Sequence, residues 1–586
     1  MSPSPAIPAS PCPPVMSLAL AHGLMTRPGS FFEIEQVDIR GIPTRVWKYA
    51  PPTLREVFLA GRQHGDHTFL VYEGERASFE SFARATLALA QALAAQGVVK
   101  GERVAIAMRN LPEWPVAYFA TLLLGAIAAP LNAWGTPADL LHGLTDSGAR
   151  VAVLDAERWE RLQPGVDGCP ELAQVLVSRH RGALMHPRAR ALEQLIGRVC
   201  EWPGLPDRPL PPVPLAPDDD ATLFYTSGTT GSPKGALGTH RCSTSTLMAS
   251  AFSALRGFVR RGEPPPDPAA RTTQRTLLVS VPFFHTTGCQ GMCGALFAGS
   301  KLVLMHRWEV GRALQLIEAE RVTHAGGVPT IAWQLLEHPA VDRYDLSSLE
   351  AVAYGGAPAS PELVERLQRV FPQAEPGTAW GMTETSAGFT GHSGDDYRAK
   401  PASAGPAPPV GELKITDDTG RPLPAGQIGE LWVKGPNVVK GYWRRPEDTA
   451  QTFVDGWLRT GDLAYLDDEG WLFIVDRKKD MLIRGGENIY CAEIESALYK
   501  HPAVVDAGVV GVPHASLGEE PAALVVLRPG ETLEPEALRE FLRGHLSAYK
   551  LPVSIVIHPE LLPRNPAGKL MKPALKQLLQ AALSRS

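Results

Sequence analysis

A short apolar run at residues 221–225 leads directly into Thr226-Ser-Gly-Thr-Thr-Gly-Ser-Pro-Lys-Gly235, and no other stretch of the chain restricts its fold so tightly. The run reads as a strand and the sequel as a loop for phosphate. Gly228, Gly231 and Gly235 let backbone N–H groups approach anionic oxygens, Ser227, Thr229 and Thr230 add hydroxyl donors, and Lys234 adds a compact cation. Pro233 separates glycine from lysine, and no Gly-Lys-Ser/Thr occurs here, so this is not the loop of the P-loop nucleoside triphosphatases.

From this point a rhythm of strand, loop and helix argues for α/β architecture. Residues 275–281 and 301–305 read as buried strands, and 311–322 as a helix leading into a strand at 322–328. Residues 349–354 read as a strand ending in Gly355-Gly356. A helix then starts from Ser360 as N-cap with Pro361 first, and Leu363, Val364, Leu367, Val370 and Phe371 form its apolar face. Residues 116–131, between Pro115 and Pro130, are too short for the roughly 20 residues of a bilayer span and read as a buried helix. Residues 257–274, with three consecutive prolines at 264–266, read as a surface loop. Beyond Arg477 a pattern of helix, strand, strand, helix and strand fits a small α+β domain. In it, residues 505–512 and 522–527 are the strands, and Leu538, Phe541, Leu542 and Leu546 share a helical face.

At 586 residues the chain exceeds what one core supports, so at least two packed units are expected. Lys plus Arg number 57 against 62 acids, a net charge of −5, which argues against a nucleic-acid partner. Seven scattered cysteines without a CxxC fit free thiols in a reducing cytoplasm. The first 15 residues, rich in Pro, Ser and Ala, read as a disordered tail without the basic start of a signal peptide. No transmembrane segment is expected, which leaves peripheral membrane contact and oligomeric state open.

Five further segments follow the loop in order. They are Trp380-Gly-Met-Thr-Glu384, Trp457-Leu-Arg-Thr-Gly-Asp462, Asp476-Arg-Lys-Lys-Asp480, Gly485-Gly-Glu-Asn-Ile489 and Pro563-Arg-Asn-Pro-Ala-Gly-Lys569. With residues 225–235, and over about residues 50–575, they resemble the signatures of the adenylate-forming superfamily, which holds acyl-CoA synthetases, peptide-synthetase adenylation domains and beetle luciferases. The resemblance implies a large, multi-subdomain α/β domain at 16–478 that binds ATP and the acid. A small mobile α+β domain at 479–586 would turn about Lys479.

It also implies roles. Thr226, Ser227, Gly228, Thr229, Thr230, Gly231, Lys234 and Thr383 would face the ATP phosphates, and Glu384 would hold Mg²⁺, a hard cation that prefers carboxylate oxygen. Gly356, Ala357, Pro358 and Trp380 would bound the adenine, and Asp462 and Arg477 the ribose. Lys569 would meet the α-phosphate during adenylation. Gly485 and Gly486 would later flank the pantetheine arm of CoA. His285, in Pro282-Phe-Phe-His-Thr-Thr-Gly288, would face the acid's carboxylate, with Phe283, Phe284, Val328, Met382 and Ala387 forming an apolar pocket.

The activity implied is joining of a carboxylic acid to CoA through an acyl-adenylate, with ATP, Mg²⁺ and CoA as required small molecules. No acid lies near His285 to pair a substrate ammonium, and the 475–495 segment looks most like bacterial medium- and long-chain fatty-acyl-CoA synthetases. An aryl or alicyclic acid is the alternative. So is an acyl-AMP ligase that loads a carrier protein; only 17 residues follow Lys569, so that carrier would be a separate chain.

Overall fold

The computed structural model describes residues 16–226, 233–267, 270–355, 361–485, 487–514, 516–564 and 570–583. Two eight-stranded sheets form the body. The first runs in the order Gly441–Tyr442, Gly235–Thr239, Asp220–Tyr225, Ile127–Pro130, Arg103–Ala107, Val151–Asp155, Gln174–Ser178 and Ala189–Ala191. It is parallel from Asp220–Tyr225 onward and antiparallel at its Gly441–Tyr442 end. The second runs Ala387–Ser393, Glu375–Met382, Ala351–Gly355, His324–Gly327, Thr276–Val279, Lys301–Leu304, Thr68–Tyr72 and Glu75–Ser78, antiparallel only at its two end pairs.

One core joins the sheets: Val104 and Ile106 of the first, Phe69 and Leu302 of the second, and between them the helices Leu54–Arg62, Phe79–Ala95, Glu113–Leu123 and Thr286–Ala298. All eleven residues of Glu113–Leu123 are buried. Burial on every side explains why its sequence shows no polar face.

Here the sequence expectation needs correcting. Residues 116–131 are not one helix: the helix stops at Leu123, Gly125 turns the chain at φ +67°, and Ile127–Pro130 forms a fully buried strand. A helix buried all round and a strand buried on both faces give the same unbroken apolar run. The expected loop at 257–274 also starts later, because the helix His240–Arg260 continues through its first four residues. That extension carries Arg260 to Asp396, whose carboxylate also lies 3.7 Å from Arg256.

A third, antiparallel sheet holds Glu412–Thr416, Gly429–Lys434, Trp457–Leu466, Phe453–Val454 and Leu472–Arg477. The fourth opens with Leu482–Arg484 and contains the long hairpin of Val504–His514 and Gly518–Leu527, with Ser554–Ile557 parallel to the latter. On one face pack Cys491–Tyr499 and Pro535–Arg543 through Ile494, Leu498, Leu538 and Leu542. On the other packs Lys572–Leu583 through Leu575 and Leu579. The sequence pattern omitted this last helix and the small hairpin Leu482–Arg484 with Glu487–Ile489. The expected tail at 1–15 lies outside the described residues.

Candidate active site

The phosphate-loop candidate starts from the strand Asp220–Tyr225 and returns as Gly235–Thr239. Thr226 and Lys234 close its base: the Thr226 N–H donates to the Lys234 carbonyl at 2.9 Å, and the Lys234 N–H donates to Thr226 Oγ1 at 3.1 Å. Ser227, Gly228, Thr229, Thr230 and Gly231 lie outside the described residues, as do Gly356, Ala357, Pro358, Gly486 and Lys569.

Glu384 sits in the one-turn helix Thr383–Thr385 and is 6% exposed. Its Oε1 accepts a 2.7 Å hydrogen bond from the Tyr442 hydroxyl. Burial and the Glu384 charge push that phenol well above its ordinary pKa, so it remains a donor. The Lys234 ammonium stands 5.1 Å from the same tyrosine's ring centroid and pairs with Asp448 at 2.6 Å. Tyr442 thus links the carboxylate and the cation expected at one site. The turn leaves through two left-handed residues, Ser386 and Ala387, at φ +54° and +93°. Such backbone is costly for non-glycine residues and needs support. Thr385 Oγ1 supplies it by donating to the Ala387 carbonyl at 2.7 Å, while Asn437 donates to the Thr385 carbonyl at 3.1 Å.

The donor set fits Mg²⁺. Glu384 Oε2 makes no hydrogen bond among the described residues, and no group of three or more metal-ligating side chains occurs among them. One carboxylate oxygen plus phosphate oxygens of a nucleotide is the arrangement this ion commonly takes.

A second constellation forms where the second and third sheets meet. Asp462 and Arg477 are cross-strand partners, and Arg477 Nε lies 2.6 Å from Asp462 Oδ1. Trp380 Nε1 donates to Asp462 Oδ2 at 2.8 Å. Asp462 is 2% exposed. Oδ2 thus accepts a hydrogen bond, whereas Oδ1 is ion-paired but accepts none among the described residues, which leaves it to a ribose hydroxyl.

His285 occupies the N-cap position of Thr286–Ala298 without a capping bond from its side chain, and its ring lies 4.6 Å from that of Phe284. The residues expected to form the apolar pocket each have a place in a core. Phe283 packs against Trp114 in the main core, Val328 against the core of the second sheet, and Met382 against that of the third. Gly485 turns the Leu482–Arg484 hairpin at φ +59°, a conformation that glycine adopts without strain.

Sequence reasoning missed Tyr442 and Asp448. Their only local signal is the aromatic pair Tyr442-Trp443 after Gly441, and nothing in it names a partner 58 residues away.

Comparisons with known proteins give the family. Residues 57–443 match the AMP-binding enzyme family and residues 493–569 its C-terminal domain. A feruloyl-CoA synthase of Amycolatopsis sp is 34% identical over 508 residues, 86% of this chain and 94% of that protein. A 3-[(3aS,4S,7aS)-7a-methyl-1,5-dioxo-octahydro-1H-inden-4-yl]propanoyl:CoA ligase of Mycobacterium tuberculosis is 36% identical over 529 residues, 88% and 97% of the two chains. Among solved structures, an O-succinylbenzoate coenzyme A synthetase of Bacillus subtilis in complex with ATP and magnesium ion superposes with a TM-score of 0.71 at 29% identity. The match covers 90% of this chain and 99% of that one. With both domains matched in order and these relatives aligned over 86% and 88% of the chain, the protein belongs to the AMP-binding enzyme family, the adenylate-forming enzymes that its six sequence segments resemble.

Proposed function

We propose that the chain is an AMP-forming acid–CoA ligase whose acid is apolar, bears a carboxylate and lacks an amino group. The observation that carries the acid class is the helix Thr286–Ala298, which His285 precedes and which contains no charged residue. A buried ammonium there would have no partner, at a cost of several kcal/mol. Two shapes of acid remain. The 475–495 segment favours a straight medium or long chain. The names of the relatives favour a ring-bearing acid.

The acid needs no general base, since a carboxyl with pKa about 4 is ionised at neutral pH. Its oxygen attacks the α-phosphorus of ATP in line with the departing pyrophosphate, and the CoA thiol then displaces AMP from the acyl-adenylate. Catalysis rests on alignment and charge. Lys234 exchanges Asp448 for phosphate oxygens; Thr226 and Thr383 donate hydroxyls; Asp462 and Arg477 fix the ribose. Glu384 holds Mg²⁺, which neutralises the phosphates. Lys569 approaches the α-phosphate in the first half-reaction and leaves when the small domain turns about Lys479.

The test is kcat/KM across straight-chain acids, arylpropenoic acids and amino acids with saturating ATP and CoA. Activity is expected on one of the first two series. Each added methylene in a straight chain should contribute roughly 0.8 kcal/mol until the pocket fills. Preference for an amino acid would refute the acid class. Acyl-AMP that accumulates with CoA and turns over only with a holo carrier protein would refute the ligase.

A further inference from the structure

We infer that Asp448 is a positioning residue that competes with phosphate for Lys234, and so sets how tightly ATP is held and how readily pyrophosphate leaves. The inference rests on the reading above that Lys234 meets the ATP phosphates. Asp448 Oδ1 lies 2.6 Å from Lys234 Nζ, and neither side chain has another ion pair among the described residues. A carboxylate this close to a cation that serves a triphosphate repels the same ligand, so its place there calls for a role of its own.

The two partners differ in freedom. Asp448 stands in the helix Pro446–Thr452, which is seated on the edge strand Gly441–Tyr442. The Tyr442 N–H donates to Thr449 Oγ1 at 2.9 Å, and that hydroxyl donates to the Arg445 carbonyl at 2.7 Å. At Gly441, where φ is +150°, an added Cβ would stand 2.4 Å from Thr449 Cγ2, so helix and strand touch with no room for a side chain. The strand in turn pairs Tyr442 with Ala236, and the Trp443 N–H donates to the carbonyl of Gly235, the residue after Lys234, at 2.7 Å. The Asp448 backbone is thereby fixed relative to that of Lys234. The lysine, on a flexible four-carbon stem, is the partner that moves.

The Lys234 and Asp448 side chains are 36% and 35% exposed, which makes the pair modest in strength and easily reversed. A phosphate that must first take Lys234 from Asp448 binds with an affinity reduced by the fraction of time the lysine is held, and a lysine held about two-thirds of the time gives about a threefold reduction. ATP and pyrophosphate are affected alike, since both bring phosphate to Lys234. Adenylation leaves pyrophosphate beside this lysine, and the return of Lys234 to Asp448 favours its departure before CoA reacts.

The experiment measures calorimetric binding of ATP and of pyrophosphate, each with Mg²⁺, to full-length wild type, Asp448→Asn, Asp448→Glu, Lys234→Gln and the double variant Asp448→Asn with Lys234→Gln. Asp448→Asn should lower Kd about threefold for both ligands. Asp448→Glu, which keeps the charge, should stay within about twofold of wild type. On the Lys234→Gln background the change caused by Asp448→Asn should largely disappear. An unchanged Kd in Asp448→Asn overturns the inference, and so does a raised one, which would show that Asp448 presents Lys234 to the phosphates. An undiminished effect on the Lys234→Gln background overturns it as well, because Asp448 would then act by repulsion without the lysine. Failure of the underlying reading looks different: Lys234→Gln alone would bind both ligands as wild type does, and the inference would fall with it.

Discussion

Tyr442 gives its hydroxyl to the Glu384 carboxylate and its ring face to the Lys234 ammonium. Removing the hydroxyl leaves a buried carboxylate oxygen short of a donor, which costs about 1–3 kcal/mol. Tyr442→Phe is therefore expected to slow acyl-adenylate formation about tenfold or more and to raise the Mg²⁺ needed for half-maximal rate, since the ring still faces Lys234. Pyrophosphate exchange titrated with Mg²⁺ measures both; an unchanged Mg²⁺ dependence would separate Tyr442 from the metal. Lys234 stood out in the sequence because its glycine- and hydroxyl-rich loop announces phosphate chemistry, and Glu384 only through the resemblance of its segment to a family signature. Tyr442 was not, because its importance comes from where Gly441–Tyr442 joins the sheet. Trp380 was expected beside a base, and its bond to Asp462 across 82 residues had no local sign.

Among the elements, Leu472–Arg477 and the helix Cys491–Tyr499 meet at Asp476. Asp476 Oδ1 accepts from the Arg477 N–H at 2.7 Å and Oδ2 from the Ala492 N–H at 3.3 Å, in the helix's first turn. Burial raises its pKa to about 6, against the opposing pull of these amides and of Lys572, while Glu495 adds to the rise. An unfolded chain releases this proton near pH 4. The folded chain thus binds more protons between the two values, and this contribution to stability is lost as pH rises toward 6. Asp476→Asn does not titrate. The melting temperature of wild type minus that of the variant should fall between pH 4 and pH 7; a constant difference would show that Asp476 does not titrate there. At this scale the sequence revealed a minority of the strands, among them Thr276–Val279, Lys301–Leu304 and Ala351–Gly355, and a few amphipathic helices such as Val310–Glu320, whose period exposes them. It merged residues 116–131 because full burial erases period, and it ended His240–Arg260 early because the pull of Asp396 on Arg260 is not local.

In the whole molecule, the third sheet ends at Arg477 and the fourth begins at Leu482, so Lys479 lies between two separately cored bodies. Arg528 of the small body forms an ion pair with Glu337 of the large one, a contact that rotation about Lys479 would break. Lys569→Ala is expected to lower acyl-adenylate formation by at least a hundredfold while thioester formation from supplied acyl-AMP keeps most of its rate. Equal losses in single-turnover assays of the two half-reactions would argue against a lysine used in only one of them. The division into a large and a small unit was legible from length and from the change of pattern after Arg477. How the two bodies touch was not, since such contacts leave no periodicity.

The first sheet ends with residues 440–443 laid along Gly235–Thr239, through the pairs Ala236 with Tyr442 and Leu237 with Gly441. On a ribosome, that covering segment emerges about 200 residues after the strand it protects, a wait of roughly 10–40 s at common rates of synthesis. During that interval the nascent chain presents a bare strand edge, with unpaired N–H and C=O groups, to every neighbouring polypeptide. Chains stopped short of Lys440 keep that edge open indefinitely and are expected to aggregate, whereas those reaching Trp443 close it themselves.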